Sequence, residues 1–519
     1  MRNYRGTIIG LITLFYLAIV SGIVVLFVYY CSPFWIVLSI FLLTLAVQFT
    51  NAVVLFNNDR QLEIKLCWLI VIIMLPLLGT LIFIWFGLRP FNVKKWRQYN
   101  IESKNYANLE DYTYTEYLLK NNHILNNLFS YNYNVAQTPV YINNSIKFIN
   151  NNIDLLKEII ELIRSAEKSI VLETFILRDS TMTRIVITEL LKKKKEKNID
   201  IYVLYDWMHG RKLKKHLIKS MVNAGVNVGV FNSPGLNIYK STTNYRLHTK
   251  ALVIDNKKAL FGGSNFSDEY IKMNKCSNNF TDFNVIFTGE ICNSLLIEFF
   301  KIWVSFTKKF IKKTKNEWIN TLNKLHKKNS IYKANNKTLI QLIKSRPDQK
   351  EKTVEQTIIS LILKAKKSVY ITNPYFCPSK KIIDALNYIS LSGVDVKIIV
   401  PGQIESLKLG LNINRSNYHD LLEGKCKIYE YNGFIHSKYI IIDNNISFIG
   451  SANLDYRSLW INFETSSLIY NNNFNKILKN VFQHDLDNSK EVTLSTLNLI
   501  FTKKDRFINF FLHLIYPLI

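Results

Sequence analysis

Apolar residues dominate three stretches at the start of the chain, 7–30, 34–56 and 66–88, each 23 or 24 residues long. A helix of that length reaches about 35 Å, enough to cross a hydrocarbon core of about 30 Å, so all three are expected to span a membrane. Pro76 and Gly79 interrupt the third. The first run is too long for the apolar core of a signal peptide, and no small-residue cleavage site follows it. Beyond residue 91 the pattern changes. Helix-periodic segments at 155–166, 184–195 and 354–366 precede β-branched, strand-like runs at 169–177, 200–205 and 368–371. Alternation of that kind predicts layered α/β structure. Between the two alternating regions, residues 300–350 interleave Phe300, Trp303, Phe306, Phe310 and Trp318 with Lys308, Lys309, Lys312, Lys313, Lys315 and Lys324. This reads as a helical linker that lies at a bilayer interface or packs its apolar side on the body.

Charge sharpens the division. The first 91 positions carry five basic and two acidic residues of the chain's 66 and 39, which leaves a net +24 on residues 92–519. A body so basic requires an anionic partner, nucleic acid or an anionic lipid surface. Arg89, Lys94, Lys95 and Arg97 follow the third apolar run and favour a cytoplasmic catalytic part. The six cysteines form no CxxC pair and are expected as free thiols in a reducing compartment.

The chemistry lies in a repeat. The segment His248-Thr-Lys250-Ala-Leu-Val-Ile-Asp255, followed after six residues by Gly262-Gly-Ser-Asn265, returns 188 positions later as His436-Ser-Lys438-Tyr-Ile-Ile-Ile-Asp443 and Gly450-Ser-Ala-Asn453. On a strand, His and Lys two apart share one face, while Asp seven positions after the His falls on the other. His248 with Lys250, and His436 with Lys438, can therefore point into one cleft. Asp255 and Asp443 are expected at the strand ends, fixing the turn toward the glycines, and Asn265 and Asn453 can donate to an anion. Two imidazoles, two ammoniums and two amides meeting across a pseudo-twofold axis suit a phosphodiester: one imidazole attacks phosphorus, the other protonates the departing alcohol, and the lysines neutralise the oxygens. No His or Cys pair has the spacing of a zinc site, and no metal is expected.

The His-x-Lys-x4-Asp motif resembles that of the phospholipase D superfamily. Its surroundings, among them Leu172-Glu-Thr-Phe-Ile176, Asn244-Tyr-Arg246, Asn373-Pro-Tyr-Phe-Cys-Pro378 and Leu454-Asp-Tyr-Arg-Ser458, are similar to bacterial cardiolipin synthases from about residue 66 to the end. Ser379 stands where that family more often has an acid, and three leading spans replace the usual two. The resemblance implies an α/β fold of two pseudo-symmetric halves, each a mixed β-sheet flanked by helices, packed around one active site and preceded by transmembrane helices. The expected organisation is an anchor at 1–91, a first half at 92–300, the linker at 301–350 and a second half at 351–519. The resemblance also implies a carboxylate supporting each histidine from the next strand of its own half, Asp282 for His248 and Glu464 for His436, with His248 as nucleophile and His436 as acid.

The expected reaction joins two phosphatidylglycerols into cardiolipin and releases glycerol at a cell membrane. It exchanges one phosphodiester for another and needs no cofactor, and the chain carries neither a phosphate-binding G-x4-GK-[ST] loop nor a dense Asp cluster. The competing readings are hydrolysis by the same histidines, as a membrane phospholipase D or nuclease, and a noncatalytic nucleic-acid binder. The complete pair of motifs opposes the last, and the spans oppose nucleic acid as a partner.

Overall fold

The computed structural model describes residues 33–57, 62–87, 94–106, 109–120, 125–149, 152–210, 212–233, 244–271, 279–309, 320, 323, 337–403 and 408–500. The expected span at 7–30 lies outside them. Pro33–Phe56 is one continuous helix, and among the described residues it is the one helix whose length and composition suit a membrane crossing. The third expected span is not continuous. It divides into helices Leu62–Met74 and Pro76–Ile82 and a π-helical turn Phe83–Gly87. Proline has no N–H to give the carbonyl four residues back. That carbonyl, on Ile72, instead accepts from Gln48 Nε2 at 2.8 Å.

A second unit, within residues 98–233 and 245–513, carries the repeat. Its first half supplies β1 (Val140–Ile149), β2 (Ser169–Thr174), β3 (Asp200–Asp206), β4 (Asn227–Phe231), β5 (Ala251–Ile254), β6 (Lys258–Gly262), β7 (Phe280–Thr281), β8 (Asn284–Gly289) and β9 (Thr307–Lys309). The second supplies β10 (Lys337–Ser345), β11 (Ser368–Thr372), β12 (Asp395–Pro401), β13 (Lys427–Tyr431), β14 (Phe434–Ile435), β15 (Tyr439–Ile442), β16 (Ile446–Gly450), β17 (Glu464–Tyr470) and β18 (Ser489–Val492). All but β7 and β14 belong to one mixed sheet. From its centre outward, the order β1-β8-β6-β5-β2-β3-β4-β9 in one half matches β10-β17-β16-β15-β11-β12-β13-β18 in the other. The pseudo-twofold axis therefore passes between β1 and β10, which pair antiparallel with Tyr141 opposite Ile340.

The central strands are Val- and Ile-rich because helices cover them. Ile170 and Leu172 of β2, for example, pack into a core with Leu155, Ile159 and Leu162 of helix Asn152–Ser165 and Met182, Val186 and Leu190 of helix Thr181–Lys197. The linker expected at 301–350 is shorter than its composition suggested. Helix Ile291–Phe306 belongs to the first half and buries Phe300, Trp303 and Phe306. Trp303 stacks on Phe299 and meets Tyr202 of β3 edge-on, so these aromatics pack on the body and leave no face for a bilayer. Strand β9 then pairs with β4, and the second half begins at β10. Most of 310–336, with the remaining linker aromatics and lysines, lies outside the described residues.

Beside the axis, an ion cluster joins the halves. Glu298 of helix Ile291–Phe306 pairs with Lys344 of β10 at 2.9 Å, and Tyr99 donates its hydroxyl to Glu298. The Arg346 guanidinium lies 4.1 Å over the Tyr99 ring. Burial alone would raise the Glu298 carboxyl, but Lys344, Lys301 and Arg346 outweigh it and hold the group well below the usual carboxylate range. Glu298→Ala is expected to cost about 3–5 kcal/mol, because it leaves buried ammoniums uncompensated. Chemical denaturation of the solubilised protein measures this, and a loss under about 1 kcal/mol would contradict it.

Candidate active site

Each His-x-Lys segment ends where a buried strand begins, β5 after Lys250 and β15 after Lys438. The short, apolar strands fix where each segment leaves the sheet. Backbone bonds then tie each segment to the opposite half. The His248 N–H donates to Phe463 O at 2.9 Å, and the Phe463 N–H to Arg246 O at 2.8 Å. Reciprocally, the His436 N–H donates to Thr281 O at 2.7 Å, and β14 runs parallel to β7.

The carboxylates follow directly after those partners in sequence, and this crosses them. His248 Nδ1 lies 2.9 Å from both oxygens of Glu464, and His436 Nδ1 lies 2.8 Å from Asp282 Oδ2. The expected pairing within each half is therefore corrected: Asp282 serves His436 and Glu464 serves His248. Ser451 Oγ donates to Glu464 Oε2 at 2.6 Å and Asn462 Nδ2 to Oε1 at 3.2 Å. Asp282 accepts from Ser264 Oγ at 3.2 Å. The repeat puts Gly263 opposite Ser451, and the glycine is required, since a Cβ there would stand 2.2 Å from Asp282 Oδ1.

With Nδ1 donating to a carboxylate, each imidazole keeps Nε2 as a lone pair. The lysines lie alongside. Lys250 Nζ donates to His248 O at 2.5 Å, and Lys438 Nζ to His436 O while standing 2.9 Å from His436 Nδ1. All four side chains are buried. Burial pushes His248 down to about 4 against the pull of Glu464, and burial with Lys438 pushes His436 down to about 3. Burial also lowers Lys250 to about 7 and Lys438 to about 8. The site thus holds two neutral imidazoles beside two lysines whose charged form an incoming anion would favour.

Asp255 and Asp443 stand elsewhere. The length of β5, about 13 Å, separates Asp255 from His248. Both aspartates have positive φ, 54° and 51°. The Asp255 carboxylate accepts from the N–H groups of Glu167, Lys168 and Ser169, and Asp443 from those of Lys366, Lys367 and Ser368. They fix the turns that enter β2 and β11, not the turns toward the glycines. Asn265 accepts from the Ile176 N–H at 3.1 Å and donates to the Tyr270 hydroxyl at 2.7 Å, so it positions the loop after β2. Asn453 bears on the Asp455 carboxyl, which burial raises to about 6. Sequence reasoning assigns no role to Phe175, whose ring lies 4.9 Å from His248, or to Tyr270, 5.5 Å from His436; of the two, only Phe175 sits in a stretch quoted above for its similarity.

Comparison with known proteins identifies a family and a fold. The family described as "Cardiolipin synthase, PLD-like domain" matches residues 159–303 and 358–486. A cardiolipin synthase of Alkalihalophilus pseudofirmus is 30% identical over 456 residues, covering 87% of this chain and 88% of the relative. One from Staphylococcus aureus is 28% identical over 473 residues, covering 88% and 91%. In three dimensions the chain is similar to a phosphatidylserine synthase of Haemophilus influenzae, with a TM-score of 0.58 and 16% identity, covering 76% of this chain and all of that one; the likeness extends to the fold.

Crossed support makes a specific prediction for double-mutant cycles. His248→Ala with Glu464→Gln, and His436→Ala with Asp282→Asn, should show coupling of about 1–3 kcal/mol in unfolding free energy. His248→Ala with Asp282→Asn should be additive within about 0.5 kcal/mol. Coupling inside each half and additivity across them would refute the crossing.

Proposed function

The chain belongs to the cardiolipin synthase family of phospholipase D-like enzymes, which are phosphatidyltransferases, and from that premise we propose that it transfers a phosphatidyl group from one phosphatidylglycerol to another. The observation that carries the proposal is the pair of buried imidazoles, each oriented through Nδ1 so that Nε2 is left for substrate.

The donor's phosphodiester enters between Lys250 and Lys438, and its charge offsets theirs, which lets one imidazole hold a proton. The other attacks phosphorus through Nε2. The new N–P bond forms as the P–O bond to glycerol breaks, and the protonated imidazole gives its proton to that oxygen. The lysines stabilise the non-bridging oxygens. Glycerol leaves, a hydroxyl of a second phosphatidylglycerol enters, and the now neutral imidazole takes its proton as oxygen displaces nitrogen. Cardiolipin is released with both imidazoles restored. His248, Lys250, His436 and Lys438 act on substrate, Asp282 and Glu464 hold the imidazole tautomers, and Asp255, Asp443, Asn265 and Asn453 hold the frame. The overall reaction exchanges one phosphodiester for another, so it needs no nucleotide to drive it.

Anionic lipid suits the basic body, and a multi-pass anchor with the catalytic part on the cytoplasmic side completes the proposal. The anchor matters for product choice. An enzyme held at a bilayer meets lipid hydroxyls at high effective concentration, which favours transfer over hydrolysis.

In vesicles of phosphatidylglycerol, purified enzyme should form cardiolipin in excess over phosphatidic acid. Added labelled glycerol should enter phosphatidylglycerol and suppress net synthesis, because the steps are reversible. Chiefly phosphatidic acid, with no label in lipid, would instead establish hydrolysis. The lysines must be charged to receive the anion, so kcat/KM should fall as pH rises through about 7 to 8, where Lys250 and then Lys438 lose protons in the empty site. The alkaline limb of kcat should lie higher, since bound phosphate retains those protons. A kcat/KM flat to pH 10 would contradict this assignment.

A further inference from the structure

The catalytic set is symmetric, but its surroundings are not. His436 is ringed by Tyr270, Phe434 and Phe280, with ring centres 5.5, 5.7 and 5.8 Å away. On the other side Phe175 stands between two imidazoles, 4.9 Å from His248 and 4.5 Å from His209. His209 lies on the short helix Trp207–Gly210 that follows β3, at the strand ends that hold the cleft. Lys212, Arg246, His248 and Arg178 all bear on it electrostatically.

The repeat shows that this cluster is particular to one half. The 188-residue offset puts Phe434 at the position of Arg246. The matched bridges Leu177↔Phe266 and Phe376↔Leu454 put Cys377 at that of Arg178. Equivalent scaffold positions thus hold Arg246 and Arg178 in the first half and Phe434 and Cys377 in the second. Two acids offset part of the charge: Arg178 pairs with Glu269 at 2.5 Å, and Arg246 acts on Asp206, which accepts the Leu247 and Met208 N–H groups at 3.0 and 2.8 Å. His209 and Lys212 reach solvent, whereas Arg246 is 5% exposed.

Lys250 and Lys438 already serve the phosphodiester under attack, and a symmetric displacement gives a further one-sided group of cations nothing to do. The joining of two phospholipids does. The acceptor brings its own phosphodiester, three carbons from the hydroxyl that attacks. We propose that His209, Arg246, Lys212 and Arg178 form a subsite for the phosphodiester of the acceptor lipid, the one that is not cleaved. This rests on the transfer reaction proposed above. Arg246 supplies the planar fork that suits two phosphate oxygens, His209 an N–H donor, and Lys212 a mobile charge at the rim.

Glycerol and phosphatidylglycerol are both acceptors of the covalent intermediate, and only the second carries a phosphate. The two acceptors are compared in one vesicle preparation of phosphatidylglycerol with labelled glycerol, as the ratio of cardiolipin formed to glycerol incorporated. His209→Ala and Arg246→Gln should each lower this ratio about tenfold, the loss of one charge-assisted contact. Lys212→Gln, on the surface where folding is not at risk, should lower it about threefold. A ratio at the wild-type value in all three variants, whether or not both rates fall, would overturn the subsite and leave these residues a structural role. Failure of the underlying reaction would show differently, as phosphatidic acid without labelled lipid from the unmodified enzyme, and would overturn both.

Discussion

The hydrogen bond from the imidazole of each repeated motif to a carboxylate of the opposite half is the constraint on which the rest of the structure depends. Asp282 and Glu464 can reach across only because the Phe280–Thr281 and Phe463–Glu464 segments are bonded, backbone to backbone, to the segments that hold His436 and His248. Those bonds in turn require the two halves to be held in one register, and the continuous sheet through β1 and β10 supplies it. Neither half alone completes either histidine. A duplicated motif therefore yields one site and not two.

That site stores unfavourable electrostatics. Two lysines and two imidazoles lie buried with two carboxylates, and burial presses the lysines toward neutrality. In the proposed reaction a phosphodiester relieves this by bringing a negative charge to the point where both lysines lie, and the charge that grows on the oxygens during displacement deepens the relief. What surrounds the symmetric core differs: Tyr270, Phe434 and Phe280 ring His436, and Phe175 stands by His248.

Much of this was legible in the residues. The 188-residue repeat announced two equivalent halves, and the two-residue spacing of His and Lys announced a shared face. The pairing of carboxylates was not legible, because sequence distance ties Asp282 to His248, and only the register of β7 with β14 shows that it turns to His436. Helix Ile291–Phe306 left two readings open for a related reason, and packing on the body is the one observed. Phe300, Trp303 and Phe306 form the same aromatic pattern whether they face lipid or a sheet, and Tyr202, which they pack against, lies about a hundred positions away. Asp255 was placed at its strand end by parity, but the turn it holds, 167–169, is remote in sequence. Pro76 did signal the break in the third apolar run; that Gln48 would occupy the freed carbonyl could not be read from it.

The most direct measurement is nitrogen-15 NMR of histidine-labelled protein, with the His248 and His436 rings assigned by substitution. Both rings should be neutral near pH 7, protonated on Nδ1, and Glu464→Gln should shift the His248 nitrogens while leaving those of His436 in place. A shift confined to His436 would contradict the crossed site.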